Sequence, residues 1–157
     1  WLDARPKRVS AFGSNAVNRV IPNPNQVHDH ATASWEYVNG AKGTLHLSLF
    51  AHEPPKETLE MGVVGETGVV QTDLDNLQIL HWENGKRKGA PRVIRVKAKR
   101  GVGWGGHLGF AEMHPAFIKA VRTGQAPLTS VANTIDGTLL AIAAEESIRK
   151  RKIITIQ

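Results

Sequence analysis

Short segments of alternating apolar and polar residues fill the N-terminal two thirds of the chain, which is the pattern of β-strands with one buried face. In residues 32–38, Ala33, Trp35 and Tyr37 would share one face, and residues 44–50 repeat the alternation with leucines. Between these segments, Asn39-Gly40 is a strong hairpin signal because both positions tolerate a positive φ. The alternation predicts an antiparallel meander with strands at residues 7–12, 32–38, 44–50, 58–64, 69–72, 77–82 and 92–97.

The last third of the chain predicts two helices. Residues 112–123 carry apolar side chains at helical spacing and precede Gly124, a natural residue to follow a helix end. Pro115 is expected in the first turn of this helix, where its missing N–H costs little. A second helix would be capped by Thr129 or Ser130. Its predicted buried stripe is Val131, Ile135, Leu139 and Ile142, widened by Leu140, Ala144 and Ile148.

Strands followed by helices, with a closing strand at residues 153–156, predict an α+β fold. We expect a large, mostly antiparallel β-sheet with helices packed on one face. A length of 157 residues fits one domain, so residues 1–157 are predicted to form a single domain. The uncovered face, containing Thr44, His46, Ser48 and Phe50 or their neighbours, would pair two copies of the chain in a homo-oligomer. Which strand face meets the helices stays open.

The net charge of +6 raises the question of a nucleic-acid partner. One basic cluster, residues 86–88, follows an Asn-Gly turn, and another, residues 149–152, follows a helix whose negative end favours cations. We interpret both clusters as solvated surface and expect no nucleic-acid partner. No apolar run of about 20 residues is present, so no membrane partner is expected. The sequence has no Cys, which fits a reducing compartment, and we expect a cytoplasmic protein.

Few residues could carry chemistry. His28-Asp29-His30 has the composition of a metal site, and in a strand its two rings would share one face, but a metal site needs three or four converging ligands. A polar strand start, with Asp29 satisfying loop amides, is therefore the preferred interpretation, and no metal is expected.

The glycine-rich segment 101–106, followed by His107, is more informative. Its glycines permit close approach to a ligand, Trp104 offers an apolar wall suited to a sugar ring, and His107 can donate or accept a hydrogen bond. The alternative is a connecting loop with Trp104 tucked against the core. Residues 65–68 are interpreted as a hairpin turn, since they lack the phosphate-loop pattern.

Five stretches follow one another in an order found in one enzyme family. They are residues 5–11, Asp29 with the hairpin at 31–40 (E-Y-x-N-G), 59–68 (V-G-E-T-G), 117–127 (F-x-x-A-V-x-x-G-x-x-P) and 143–148 (A-A-x-x-S-I). In this order and spacing the chain resembles the C-terminal domain of the Gfo/Idh/MocA family, the glucose–fructose oxidoreductase and inositol dehydrogenase relatives. The resemblance covers almost the whole chain.

The resemblance implies an NAD(P)-dependent oxidoreductase acting on a sugar, cyclitol or related polyol. In that family a Rossmann domain binds the dinucleotide through G-x-G-x-x-G and supplies a lysine, and an Asp/His pair precedes the C-terminal sheet. This sequence contains none of these motifs, and Trp1-Leu2 is expected to end the helix that carries the pair. The chain alone is therefore expected to bind no NAD or NADP, to hold no catalytic residue and to be inactive.

By their positions, the expected substrate-binding residues are His107, Trp104, Lys97 and Arg100, the two cations meeting any anionic group. The alternative function is a stand-alone ligand-binding or protein-interaction scaffold of the same fold. The choice between NAD and NADP stays open.

Overall fold

The computed structural model describes residues 4–15, 28–48, 60–73, 76–86, 89–97, 110–127 and 129–157. In chain order their elements are β1 Pro6–Ser14, β2 His30–Tyr37, β3 Lys42–Ser48, β4 Gly62–Gly65, β5 Gly68–Asp73, β6 Gln78–Glu83, β7 Arg92–Arg95, α1 Phe110–Thr123, α2 Val131–Lys150 and β8 Ile154–Thr155. The predicted α+β class is confirmed, with the strands arranged as two four-stranded antiparallel sheets. The chain divides into two compact units, Trp1–His52 with Leu128–Gln157, and Glu53–Pro127. The single domain stays a prediction.

In the first unit, the strand order is β3-β2-β1-β8, and α2 lies over β1 and β8. The register places Val9 opposite Trp35 and Ala11 opposite Ala33, so these four side chains share a face of the sheet. Val9, Ala11 and Ala33 are buried together with Ala143 of α2, and Trp35 packs against this cluster. The core of the unit therefore lies between the helix and the two central strands.

The buried stripe of α2 differs from the predicted one. Val131, Ile135 and Ile142 are 76%, 41% and 61% exposed, whereas Ala143 and Ser147 are buried. Leu140, Ala144 and Ile148 pack beside them, as predicted for these three residues. Three of the four residues in the central predicted stripe are therefore exposed. The prediction was wrong at these three because α2 is apolar on two faces, and helical spacing alone cannot show which face is buried. The face with small side chains lies against the sheet, where Ala and Ser allow a close approach of helix and strand.

The opposite face of the first sheet is polar. Thr44, His46 and Ser48 lie there in register with β2 residues such as Ser34 and Thr32. Phe12 belongs to the same face and is 77% exposed. The structure thus decides which strand face meets the helix, and it places the predicted open-face residues on the side away from α2; Phe50 lies outside the described residues.

In the second unit, the strand order is β4-β5-β6-β7. The predicted hairpin at residues 65–68 is confirmed, because Gly65 pairs with Gly68 across a two-residue turn. Gly68 is required for a steric reason: a Cβ atom there would overlap the carbonyl oxygen of Trp82 on β6. Only a residue without a side chain lets β5 and β6 approach at this point.

Helix α1 begins at Phe110, so Pro115 is its sixth residue and lies inside the helix. The expectation of a first-turn proline was therefore wrong, and the carbonyl of residue 111 lacks the amide partner that an ordinary residue would supply. The predicted end is confirmed, since Thr123 is the last helical residue and Gly124 follows with φ +70°. Phe117 and Val121 on this helix are 60% and 68% exposed.

Candidate functional site

Of the four residues predicted to bind substrate, the structure describes Lys97 alone. Lys97 is exposed and lies two residues beyond β7, directly after Val96, whose N–H donates to the Leu77 carbonyl oxygen at 2.7 Å. This hydrogen bond extends the pairing of β6 and β7 and fixes where the chain leaves the sheet. Trp104, Arg100 and His107 lie outside the described residues, so the substrate site stays a prediction.

A polar cluster at the start of β2 was not predicted as a site. His30 lies directly opposite Ser14 in the register of β1 and β2. Its Nδ1 lies 2.9 Å from Asp29 Oδ1, and its Nε2 lies 3.0 Å from Ser14 Oγ. Each ring nitrogen of His30 therefore lies within hydrogen-bonding distance of a side-chain oxygen, one of Asp29 and one of Ser14. Asp29 is 1% exposed, and its own N–H donates to the Ser14 carbonyl oxygen at 3.2 Å.

The two histidines around Asp29 point to different places, contrary to the prediction that they share a face. His28 Nδ1 lies 3.2 Å from Glu145 Oε2 on α2, whereas His30 contacts Ser14 on the open face. The prediction was wrong because β2 begins at His30 and Asp29 lies in a bend, so strand alternation does not extend to His28. Within the residues that the structure describes, no group of three or more His, Cys, Asp or Glu side chains could hold a metal ion.

Ser147 ties α2 to the sheet, and it is the serine of the A-A-x-x-S-I segment. Its Oγ accepts the Ala11 N–H at 3.0 Å and donates to the Lys152 carbonyl oxygen at 2.7 Å. The tie is needed because β8 pairs with β1 only at Arg8 and Val9, which leaves the Ala11 N–H beyond the ladder. The motif pointed to this serine, but periodicity could not assign its partners.

The basic clusters are partly neutralised by neighbouring carboxylates. A hydrogen bond from Lys86 and its positive charge lower the pKa of Glu83 below its usual value. The ammonium group of Lys150 acts in the same way on the pKa of Glu146, one helical turn away. These exposed pairs each contribute little to stability, since water screens them. No helix among the described residues is long and apolar enough to cross a membrane.

The sequence and the fold of this chain were both compared with those of known proteins. Residues 1–71 match the model of the GFO/IDH/MocA C-terminal domain. The resemblance to this family is confirmed. No curated protein matches the sequence. Among solved structures, levoglucosan dehydrogenase in complex with NADH is 18% identical with a TM-score of 0.78, covering 98% of this chain and 45% of that one.

Two further solved proteins share the fold of this chain over almost its whole length. An oxidoreductase domain protein from Kribbella flavida is 19% identical with a TM-score of 0.77, covering 98% of this chain and 45% of that one. Aldose-aldose oxidoreductase from Caulobacter crescentus, complexed with glycerol, is 15% identical with a TM-score of 0.71, covering 98% of this chain and 42% of that one. At these identities the likeness concerns the fold, and the chain spans less than half the length of each protein.

Proposed function

We propose that this chain is the substrate-pocket and assembly domain of an NAD(P)-dependent oxidoreductase that acts on a sugar, cyclitol or related polyol. The observation that carries the proposal is the agreement of two comparisons: the family match over residues 1–71 and a fold shared over 98% of the chain with levoglucosan dehydrogenase. That enzyme is described in complexes with NADH, with levoglucosan and with L-sorbose. Fold alone does not fix chemistry, so the substrate class is inferred from these relatives.

In this proposal the dinucleotide, NAD or NADP, is bound by a part of the parent enzyme outside this chain. The segment after β7 supplies the substrate pocket. Trp104 would form the apolar wall for the sugar ring, His107 would hydrogen-bond a hydroxyl group, and Lys97 and Arg100 would meet an anionic group. The chain on its own would bind no nicotinamide and would have no activity.

The test begins with the coding sequence upstream of Trp1 and continues with the parent enzyme. We expect NAD(P)H formation, followed at 340 nm, with at least one member of a panel containing levoglucosan, L-sorbose and inositol. Trp104→Ala is expected to raise the KM for the polyol about tenfold or more, because it removes the wall against which the ring packs. The KM for the dinucleotide should not change in this variant. The matched control is Trp82→Ala on β6, which removes a tryptophan side chain outside the proposed pocket.

A parent that oxidises no polyol with either dinucleotide would contradict the proposal. An open reading frame that starts immediately before Trp1 would also contradict it, and would leave a ligand-binding or interaction scaffold. Equal KM values for the polyol in Trp104→Ala and Trp82→Ala would remove Trp104 from the pocket without affecting the reaction class.

The assembly part of the proposal rests on the open face of the first sheet. The exposed side chain of Phe12 on this polar face gives a second copy an apolar contact at which to pack. We expect a dimer or larger oligomer by light scattering at micromolar concentration, and a monomer for Phe12→Glu. Phe117→Glu on α1 adds the same charge at a phenylalanine that is 60% exposed and should leave the oligomer intact. A monomeric wild-type chain would refute this part.

A further inference from the structure

We propose that Asp73 is a positioning residue for substrate binding: it holds the turn between β5 and β6 in a conformation that anchors Val96 and so fixes where Lys97 leaves the second sheet. The last step rests on the proposed function, since it takes Lys97 as a substrate-binding residue. The earlier steps rest on hydrogen bonds within the second unit.

The carboxylate of Asp73 accepts hydrogen bonds from residues on both sides of Leu77. Asp73 pairs with Gln78 in the register of β5 and β6, so residues 74–77 form the turn between these strands. Oδ1 of Asp73 accepts the Asn76 N–H at 3.1 Å, and Oδ2 accepts from Asn76 Nδ2 at 2.9 Å and from Gln78 Nε2 at 2.7 Å. Hydrogen bonds to a carboxylate are stronger than those between neutral groups, so Asp73 fixes the neighbours of Leu77 in place.

Leu77 has a backbone conformation that needs such support. Its φ is +51°, in the left-handed region that favours glycine and that is unfavourable for a residue with a side chain. Conformations of this kind persist where the surrounding structure determines them, and they cluster at functional sites. The hydrogen bonds of Asp73 to the residues before and after Leu77 supply that constraint.

The carbonyl group of Leu77 connects this turn to Lys97. Its oxygen accepts the Val96 N–H at 2.7 Å, one residue beyond the end of β7. Lys97 is the next residue and is exposed. The direction of the Leu77 carbonyl group depends on the backbone conformation of Leu77, so the turn that Asp73 holds determines where Lys97 lies.

A lysine held in this way is already placed when the substrate arrives. Preorganisation increases affinity mainly because it removes the cost of ordering the binding group. A loosened turn should therefore raise the KM of the parent enzyme for its polyol. The value of kcat should stay unchanged, because Lys97 is proposed to bind the substrate and to take no part in the chemical step.

The first measurement is amide hydrogen exchange of Val96 in the full chain. Asp73→Asn keeps the shape of the side chain but replaces a carboxylate oxygen with a donor group. We expect the Val96 N–H to exchange about tenfold faster, since a lost hydrogen bond to a charged group changes an equilibrium by about that factor. The matched control is Glu66→Gln, which makes the same change of charge in the β4–β5 turn at the opposite end of the second sheet and should leave Val96 exchange unchanged. Unchanged Val96 exchange in Asp73→Asn would overturn the proposal.

The second measurement is a double-mutant cycle on the KM of the parent enzyme for whichever of levoglucosan, L-sorbose and inositol it oxidises. Asp73→Asn and Lys97→Met should each raise this KM with kcat unchanged, Lys97→Met by about tenfold. The double variant should have the KM of Lys97→Met, because Asp73 acts through Lys97. Additive effects, or an unchanged KM in Asp73→Asn, would overturn the positioning role. If Asp73→Asn does not fold, Gln78→Met, which removes only the Nε2 donor, takes its place in both measurements with the same expected directions.

Failure of the proposed function gives a different result from failure of the positioning role. A wild-type parent that oxidises none of these polyols would overturn the proposed function, and the role of Asp73 in substrate binding with it. An active parent whose KM is the same in wild type and in Asp73→Asn would overturn the positioning role alone.

Discussion

Replacing Ser147 by Ala tests how α2 is attached to the sheet. The substitution removes the acceptor of the Ala11 N–H and the donor to the Lys152 carbonyl oxygen, at a side chain that is 1% exposed. A buried donor left without a partner costs about 1–3 kcal/mol, and the second lost hydrogen bond adds about 0.5–1.5 kcal/mol. Alanine returns about 0.5 kcal/mol through its higher helix propensity. We therefore expect a loss of about 2 kcal/mol in the free energy of unfolding.

Amide hydrogen exchange is the appropriate assay, because it reports the Ala11 N–H itself and follows the first unit separately from the second. A loss of about 2 kcal/mol corresponds to roughly thirtyfold faster exchange of Ala11 and of the core amides around it. In urea, the midpoint should fall by about 1 M for a slope near 2 kcal/mol/M. Ser34→Ala, on the exposed polar face of β2, is the control and should change little. Unchanged Ala11 exchange in Ser147→Ala would refute the assignment of this hydrogen bond as the link between helix and sheet.

Two further substitutions probe the second unit and the helix surface. Gly68→Ala should separate β5 from β6 and speed amide exchange along both strands, because a Cβ atom there meets the Trp82 carbonyl oxygen. The control is Gly62→Ala, which should be tolerated because its Cβ would lie 3.6 Å from its nearest neighbour. Equal exchange rates in the two variants would contradict the steric argument. The pKa of Glu146 should rise toward its usual value of 4.5 in Lys150→Met, measured by NMR titration. The small stabilisation from this lowered pKa is present at pH values above the usual pKa of the carboxyl group. It is lost as the pH falls through the lowered pKa of the folded state. An unchanged titration of Glu146 in Lys150→Met would exclude the pairing.

Local chemistry accounts for the parts of the fold that were predicted correctly. The alternation around Ala33 and Trp35 needs only the two-residue period of a strand, and it correctly predicts β2 and which of its residues share a face. Gly40, with φ +85°, and Gly124, with φ +70°, mark a turn and a helix end because a positive φ is difficult for other residues. Each of these features depends only on residues that are close in sequence, so the sequence alone is enough to predict it.

The predictions that failed depend on partners distant in sequence. Pro115 was predicted in the first turn of α1 but lies in the second. The start of this helix has no strong cap signal, and helix ends are decided by backbone hydrogen bonds rather than by composition. The substrate-binding residues were proposed from the chemistry of the glycine-rich segment and from their positions in a family resemblance, and they stay a prediction. The contact between Ser14 and His30 gave no signal in the sequence, since the two residues are 16 positions apart.

The sequence by itself determined the strands, the hairpins, the α+β class and the family resemblance, because each follows from local periodicity, turn residues or motif order. Only the tertiary structure decided which face of α2 is buried, since Val131 and Ala143 are both apolar and either stripe could meet a sheet. It also decided that His28 and His30 diverge and that Ser147 bonds Ala11, 136 residues away. The physical reason is that burial and hydrogen-bond satisfaction belong to the packed chain, where small side chains let the helix approach and every buried N–H needs a partner.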